Sequence, residues 1–266
     1  MDTIACYLHL FGIWEPDLTA YICKNLKPGK AFVDVGANIG YYSLLASRLV
    51  GDKGRVISIE ASPKIYSVLQ DNVSLNSFAS NIEAHNLAIA DKSKKTSVYL
   101  GPDGNLGSTT TSESLHDKFP YRNYNLEAQV EAVTLDSLIE TENIENLQLI
   151  KIDVEGTERE VIDGLVELIK NGPSDLEILI ELTPLWWSKP KPSIEEVLQP
   201  FFDHGYKAYI IPNSYLPWRY LWPSMVQPPK RATKPIKSIL GQLDIVLSKR
   251  DQEYLSQVSS KIQPLK

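Results

Sequence analysis

Short apolar runs alternate with helical patterns along the chain from about residue 31 onward. AFVDV (31–35), RVISI (55–59), EAHNLAI (83–89), LQLIKI (147–152) and LEILIEL (176–182) are rich in Val, Ile and Leu, as strands covered on both faces are. YKAYII (206–211) and LDIVLS (243–248) supply two later strands. Between the runs, Ile65, Leu69 and Val73 recur at helical spacing behind Ser62-Pro63, where the serine can cap and the proline can take the first turn. Thr157-Glu158-Arg159-Glu160 has the form of a capping box. It predicts a helix with an apolar face of Val161, Ile162, Leu165, Val166, Leu168 and Ile169. Ser193-Ile194-Glu195-Glu196 repeats the device before Val197, Leu198, Phe201 and Phe202. Repeated β-α units predict an α/β fold, a mostly parallel sheet with helices on both faces.

Two stretches break the pattern. Residues 101–127 are polar and turn-rich, and residues 184–237 hold ten of the seventeen prolines and four of the five tryptophans. Long irregular insertions in a compact domain are usually binding loops or lids. The expected organisation is therefore a helical segment at 1–30 packed on a single domain at 31–250. Loops are inserted at about 101–127 and 212–241, and a tail follows at 251–266.

Charge and composition narrow the partners. The formal charge of −6 argues against a protein that grips nucleic-acid phosphates, so no nucleic acid is expected. Cys6 and Cys23 stand in no metal-ligand spacing and suggest no disulfide framework. No apolar run is long enough to span a bilayer, and the N-terminal apolar stretch carries Asp2 in place of a basic leader segment. A reduced, cytoplasmic protein is expected, and assembly into a homo-oligomer is left open.

The sharpest local signal is Asp34-Val35-Gly36-Ala37-Asn38-Ile39-Gly40, which leaves the first strand and enters a helix. Glycines there allow a sharp turn and close approach of a ligand. The dinucleotide pattern GxGxxG fails, because Asn38 and Tyr41 stand where its later glycines belong. Asp34 would repel a pyrophosphate and attract the ammonium of S-adenosylmethionine, directly or through water. Glu60 ends the second strand about twenty residues on, where a carboxylate can accept both ribose hydroxyls. Taken singly, Asp34 reads equally as a local cap and Glu60 as a solvated strand end. Together with the failed dinucleotide pattern they favour S-adenosylmethionine over a nicotinamide.

The order of several segments resembles the FkbM family of class I methyltransferases. They are Trp14-Glu15-Pro16 with LKPGKAFVDVGANIGYYS, then VISIEASP, NLAIAD, VEAVTLDSLI and LIKIDVEGTEREVIDG, covering about residues 14 to 182. The resemblance implies a Rossmann-like, seven-stranded sheet with its last strand antiparallel, S-adenosylmethionine along the sheet's C-terminal edge, and O-methylation of a small molecule or saccharide. It places Asp34, Gly36, Ala37, Asn38 and Gly40 by the methionine portion, Glu60 by the ribose, and Ala61 and Asn86–Ala88 near the adenine. Asp153 would face the reacting centre.

Methyl transfer from a sulfonium requires alignment of the acceptor, and an alcohol must also lose its proton. Asp153 and Glu155 leave one strand end, where ligands meet open α/β sheets. Asp153 is assigned to positioning, and Glu155 to the base or an acceptor ligand. The competing role for Glu155 is helix-start electrostatics, which is the reading given to Glu158 and Glu160. Glu181 is a further acceptor-pocket candidate. With Asp153 it could ligate a divalent cation, although a required cation is not expected. Trp186, Trp187, Tyr215, Trp218, Tyr220 and Trp222 form an aromatic region in which most rings should pack the core. Trp186 and Trp218 are the candidates to meet a small-molecule or glycan acceptor. The competing functions are methylation of RNA or of another nitrogen acceptor, and a non-catalytic nucleoside-binding module.

Overall fold

The computed structural model describes residues 3–102, 104–113, 115, 124–142, 145–221, 226–233, 235–236 and 241–251. The chain opens with α1 (Thr3–Phe11) and α2 (Pro16–Asn25). Two β-α units and a third strand follow: β1 (Ala31–Val35), α3 (Tyr41–Val50), β2 (Arg55–Ile59), α4 (Pro63–Ser74) and β3 (Ile82–His85). Next come β4 (Ala88–Ile89), β5 (Lys94–Leu100), β6 (Asn125–Val133) and α5 (Leu135–Thr141). The second half holds β7 (Leu147–Ile152), α6 (Glu158–Asp163), α7 (Val166–Asn171), β8 (Glu177–Leu182) and α8 (Ile194–Asp203). It closes with β9 (Lys207–Ile211), α9 (Pro217–Leu221), β10 (Lys230–Arg231) and β11 (Leu243–Ser248).

The main sheet runs β10-β9-β11-β8-β7-β1-β2-β3. Strands β8, β7, β1, β2 and β3 are parallel, and β11 lies antiparallel between β8 and β9. The seven-stranded sheet with an antiparallel last strand is therefore present, with the two-residue β10 added at one edge. From β1 the chain winds outward through β2 and β3, then restarts at β7 on the other side. The crevice at such a reversal, outside the strand C-termini, is where ligands bind open α/β sheets.

Both faces of the sheet are covered, as the apolar runs require. Val33, Val35, Ile150, Ile152, Ile178 and Ile180 face one core with Val161, Leu165 and Phe201. Phe32, Leu149, Leu179 and Val246 face the other, against Tyr21 and Ile22 of α2 and Leu45 of α3.

The structure corrects three sequence expectations. Residues 83–89 are two strands, because the chain turns at Asn86, whose side-chain amide donates to the carbonyls of Glu60 (2.9 Å) and Ala61 (3.1 Å). β4 joins a second, three-stranded sheet in the order β4-β6-β5. The helix expected from Thr157 breaks in two: a Cβ on Gly164 would lie 2.1 Å from the Ala90 carbonyl oxygen. The Asp136 carboxylate then caps the second piece through the amides of Glu167 and Leu168, and Val166 is exposed. Thr157 makes no side-chain cap, so the capping box there does not form. Glu158 stands in the first turn of the first piece, as expected, but turns inward and is wholly buried. The caps at Ser62 and Ser193 do form, the latter with the reciprocal bond from the Ser193 amide to Glu196 (2.6 Å).

Among the described residues no helix is long and apolar enough to cross a membrane. Of the expected tail at 251–266 only Asp251 is described; Trp222 also lies outside the described residues.

Candidate functional site

The glycine loop after β1 is held by backbone geometry. Gly36 (φ 78°), Asn38 (φ 51°) and Gly40 (φ 89°) all adopt left-handed conformations. The amides of Gly36 and Ala37 both donate to the Ile59 carbonyl at 2.9 Å. A Cβ on Gly36 would sit 1.8 Å from the Asp153 carbonyl oxygen, so the end of β7 presses directly on the loop. Only glycine satisfies both the dihedral and the space.

Glu60 closes this loop from β2. One carboxylate oxygen accepts the Asn38 amide at 2.9 Å and the other the Ser62 amide at 2.9 Å. Burial raises the Glu60 carboxyl to about 7, against the lowering effect of those two amides. Gly36, Asn38, Glu60, Ala61, Ala88 and Asp153 line a narrow cleft of ≈ 50 Å³, roofed by Thr109–Thr111 of the insertion. Thr110 is pinned there by backbone bonds to Tyr99 and by its hydroxyl, which donates to the Glu155 carbonyl at 2.6 Å.

A row of charged side chains crosses the sheet beneath the loop. Asp34 and Lys151 are ladder partners, so their side chains stand side by side on the α3 face. Asp34 is fully buried, and its Oδ2 accepts the Ser43 hydroxyl at 2.6 Å. Burial raises its carboxyl, offset by Lys151 and Ser43. Burial would lower the Lys151 ammonium, but Asp153, Asp34 and Glu15 together hold it above its ordinary value. Its Nζ pairs with Asp153 Oδ2 at 3.0 Å and lies 5.0 Å from the Tyr42 ring centroid. Tyr42 in turn donates to Glu15 Oε2 at 2.6 Å, while Tyr215 and Asn213 donate to Glu15 Oε1.

Beyond this row opens a larger cavity of ≈ 490 Å³, joined to the cleft at Gly36, Asn38 and Asp153. Asp153, Glu155 and Glu181 meet in it, each offering a carboxylate oxygen within 4.8 Å of the others. Glu155 has a left-handed backbone (φ 53°), and its Oε2 is buried with no hydrogen-bond partner among the described residues. Burial raises its carboxyl well above the usual range, and the charges of Asp153 and Glu158 add to the effect. Glu181 shifts the same way through burial and the charges of Asp153 and Asp244, and one of its oxygens accepts the Gln242 amide. Glu158 ties the two carboxylate-bearing loops together. It accepts the Gly156 amide (2.9 Å), the Thr183 hydroxyl (2.5 Å) and the Trp187 indole N–H (2.6 Å).

Most sequence candidates converge on these two spaces. Gly36, Ala37, Asn38, Glu60, Ala61, Ala88, Asp153, Glu155, Glu181 and Trp186 line one or both. Asp34, Gly40 and Asn86 line neither; they act behind the surface, Asn86 by fixing the end of β2. Trp218 is 56% exposed on α9 and lines neither space. Tyr215, three residues earlier, reaches the cavity instead, with Trp14 beside it at 5.4 Å between ring centroids. Sequence reasoning assigned no site role to Glu15, Tyr41, Tyr42, Lys151 or Gln242. Lys151 carried a usable signal, since an ammonium inside a strand buried on both faces requires carboxylates around it.

Comparison with known proteins identifies the family. The methyltransferase FkbM domain model matches residues 34–208. "Methyltransferase 1" of Beauveria bassiana is 29% identical over 144 residues, 50% of this chain and 57% of that protein. "Methyltransferase sdnD" of Sordaria araneosa is 26% identical over 168 residues, 55% of this chain and 64% of that protein. Among solved structures, methyltransferase FkbM from Methylobacillus flagellatus aligns with a TM-score of 0.48 at 14% identity, over 86% of this chain and 50% of that one. With the family model covering most of the β-α units and both loops that build the cleft, the chain belongs to the FkbM methyltransferase family.

Proposed function

We propose that the protein is an S-adenosylmethionine-dependent O-methyltransferase acting on a hydroxyl of a small molecule, a saccharide or a secondary metabolite. The observation that carries this reading is the pair of joined spaces meeting at Asp153. One is narrow and glycine-walled with a buried carboxylate; the other is wide, acidic and ring-lined.

The residues of the narrow cleft fit the cofactor. Gly36 leaves room that a Cβ would fill, and the Glu60 carboxylate stands where ribose hydroxyls can donate to it. Ala61 and Ala88 give an apolar surface for the adenine. When bound, the cofactor supplies a methyl group already activated by its sulfonium. The chain's own work is to hold the acceptor oxygen in line and exclude water. Asp153 and Glu155 can accept a hydrogen bond from the acceptor hydroxyl and aim its oxygen toward the cleft. Trp14, Trp186 and Tyr215 offer flat faces for a sugar or another ring. The acidic lining disfavours phosphate-rich acceptors, which sets an RNA substrate behind a neutral or cationic small molecule.

Calorimetric titration with S-adenosylhomocysteine, with NAD as control ligand, tests the cofactor. Saturable binding of the first alone is expected, and NAD binding in its place would overturn the reading. Methyl transfer to a panel of hydroxyl acceptors then tests the reaction class; labelling of amines only would replace it.

A further inference from the structure

We propose that Asp153, Glu155 and Glu181 form a binding site for one divalent cation of the hard, oxygen-seeking class, Mg²⁺ or Mn²⁺. The site deepens the methyltransferase reading, because it lies where the acceptor hydroxyl would sit.

Three features carry the inference. The first is convergence. Asp153 and Glu155 leave the end of β7, Glu181 lies near the end of the neighbouring β8, and one oxygen of each lies within 4.8 Å of the other two. Three carboxylates from two strand ends, facing open cavity space, form the oxygen-rich, partly filled set that leaves positions for water or a substrate oxygen.

The second is an unmet demand. Glu155 Oε2 is sealed from solvent and takes no hydrogen bond among the described residues. Glu181 is 8% exposed, and its recorded hydrogen bond comes from Gln242. A buried carboxylate oxygen without a partner is costly, and such groups are paired or coordinate a metal.

The third is charge. Among the described residues Lys151 is the only cationic one lining the cavity, and its ammonium pairs with Asp153 Oδ2, with Asp34 alongside it on the sheet. One ammonium thus faces Asp153, Glu155 and Glu181, with Glu15 also in the wall.

The geometry is also rigid. Glu155 is held in a left-handed turn, and Glu158 bonds that turn to Thr183 and Trp187 just beyond β8. The backbone that carries Glu155 is thus tied to the end of β8, which bears Glu181, before any ion arrives. A cation there would lower the pKa of an acceptor hydroxyl placed on it and orient its oxygen, the part of O-methylation that the sulfonium does not supply.

A second acidic group, Glu83, His85 and Glu142, lies at the β3 edge of the sheet. Arg55 already bonds both of its carboxylates, at 2.7 and 2.8 Å, so that group serves as the internal control.

The test is Mn²⁺ binding followed by electron paramagnetic resonance, on the full chain without cofactor. One saturable Mn²⁺ per chain is expected. Binding should weaken at least tenfold in Glu155→Gln and in Glu181→Gln, and should be unchanged in Glu83→Gln. Thermal melts and S-adenosylhomocysteine titrations of each variant report whether the fold and the cofactor cleft survive. No saturable Mn²⁺ binding to the wild-type chain, or binding lost only in Glu83→Gln, overturns the proposal. If a Gln variant fails to fold, Glu181→Asp, which keeps the charge and shortens the reach, must still weaken the ion. Mn²⁺ binding without S-adenosylhomocysteine binding would sink the cofactor reading and leave the cation site standing; the reverse pattern would do the opposite.

Discussion

On the proposed reading, in which Glu60 meets the ribose, cofactor binding depends on pH, and burial of Glu60 sets the direction. Its carboxyl is buried and raised to about 7 from an ordinary 4.5, and the neighbouring charges of Asp34 and Glu127 push the same way as burial. Below pH 4.5 the group is protonated in both the folded and unfolded chain and contributes nothing to pH dependence. Between 4.5 and 7 the folded chain retains a proton that the unfolded chain has released, so stability falls as pH rises, by about 3 kcal/mol in all. Above 7 the loss is complete and levels off. Ribose hydroxyls that donate to Glu60 favour its ionised form, so the ligand must first draw off that proton. At pH 6 roughly one chain in ten carries the carboxylate, and at pH 8 roughly nine in ten. The affinity for S-adenosylhomocysteine should therefore be about tenfold tighter at pH 8 than at pH 6. Glu60→Gln removes the titrating group and replaces charge-assisted hydrogen bonds with neutral ones. It should weaken binding at pH 8 by about 3 kcal/mol, roughly a hundredfold, and remove the slope. Calorimetry at pH 6, 7 and 8 on both proteins measures this, and any slope left in the variant belongs to the ligand. A wild-type affinity that is flat with pH, or equal slopes in the two proteins, would refute the argument.

Other substitutions probe the parts around Glu60. Gly36→Ala places a Cβ 1.8 Å from the Asp153 carbonyl at a positive φ, so it should abolish S-adenosylhomocysteine binding and lower the melting temperature. Lys151→Met leaves Asp34 and Asp153 without their cation and should cost about 3–5 kcal/mol in urea unfolding; a neutral outcome would mean the two acids stay protonated in the folded chain. Glu158→Gln must turn an amide N–H toward one of three donors. It should destabilise by about 1–3 kcal/mol and weaken Mn²⁺ binding while sparing S-adenosylhomocysteine. Ser193→Ala removes the cap of α8 at a position that lines neither space, and should cost about 1 kcal/mol with no effect on either ligand.

What the sequence discloses follows from how burial is distributed. The runs at 31–35, 55–59, 147–152 and 243–248 are strands with those bounds, since each is covered on both faces and has no polar alternation to blur its ends. β5 and β6 went unread because they bury one face only. In NLEAQVEAV, Val130 and Ala132 point inward while Gln129 and Glu131 stay in water, and the many polar residues resemble a loop. Residues 176–182 and 206–211 each lose their first residue to the preceding turn, a difference within the usual fraying of element ends.

The narrow cleft proposed for the cofactor was legible for a related reason. Gly36, Asn38 and Gly40 fall within five residues of chain, and Glu60 lies one β-α unit away, so local spacing carries the signal. The wide cavity draws on Trp14, Glu15, Lys151, Glu181, Tyr215 and Gln242, which only the strand order brings together. Yet the same alternation that builds the core contains that signal too. On the α3 face, Phe32 is followed two residues on by Asp34, Leu149 by Lys151 and Leu179 by Glu181, while antiparallel β11 places Asp244 two residues before Val246. Each apolar column thus ends in a charge at the edge of the sheet where the strands meet the cavity. A single buried ion among leucines would be a defect, since burying an unpaired charge is costly. Four columns ending alike, three acidic and one basic, require that each charge answer another. Asp34 lines neither cavity, and it acts on the site from behind, through its charge on Glu60 and through Lys151, which pairs with Asp153.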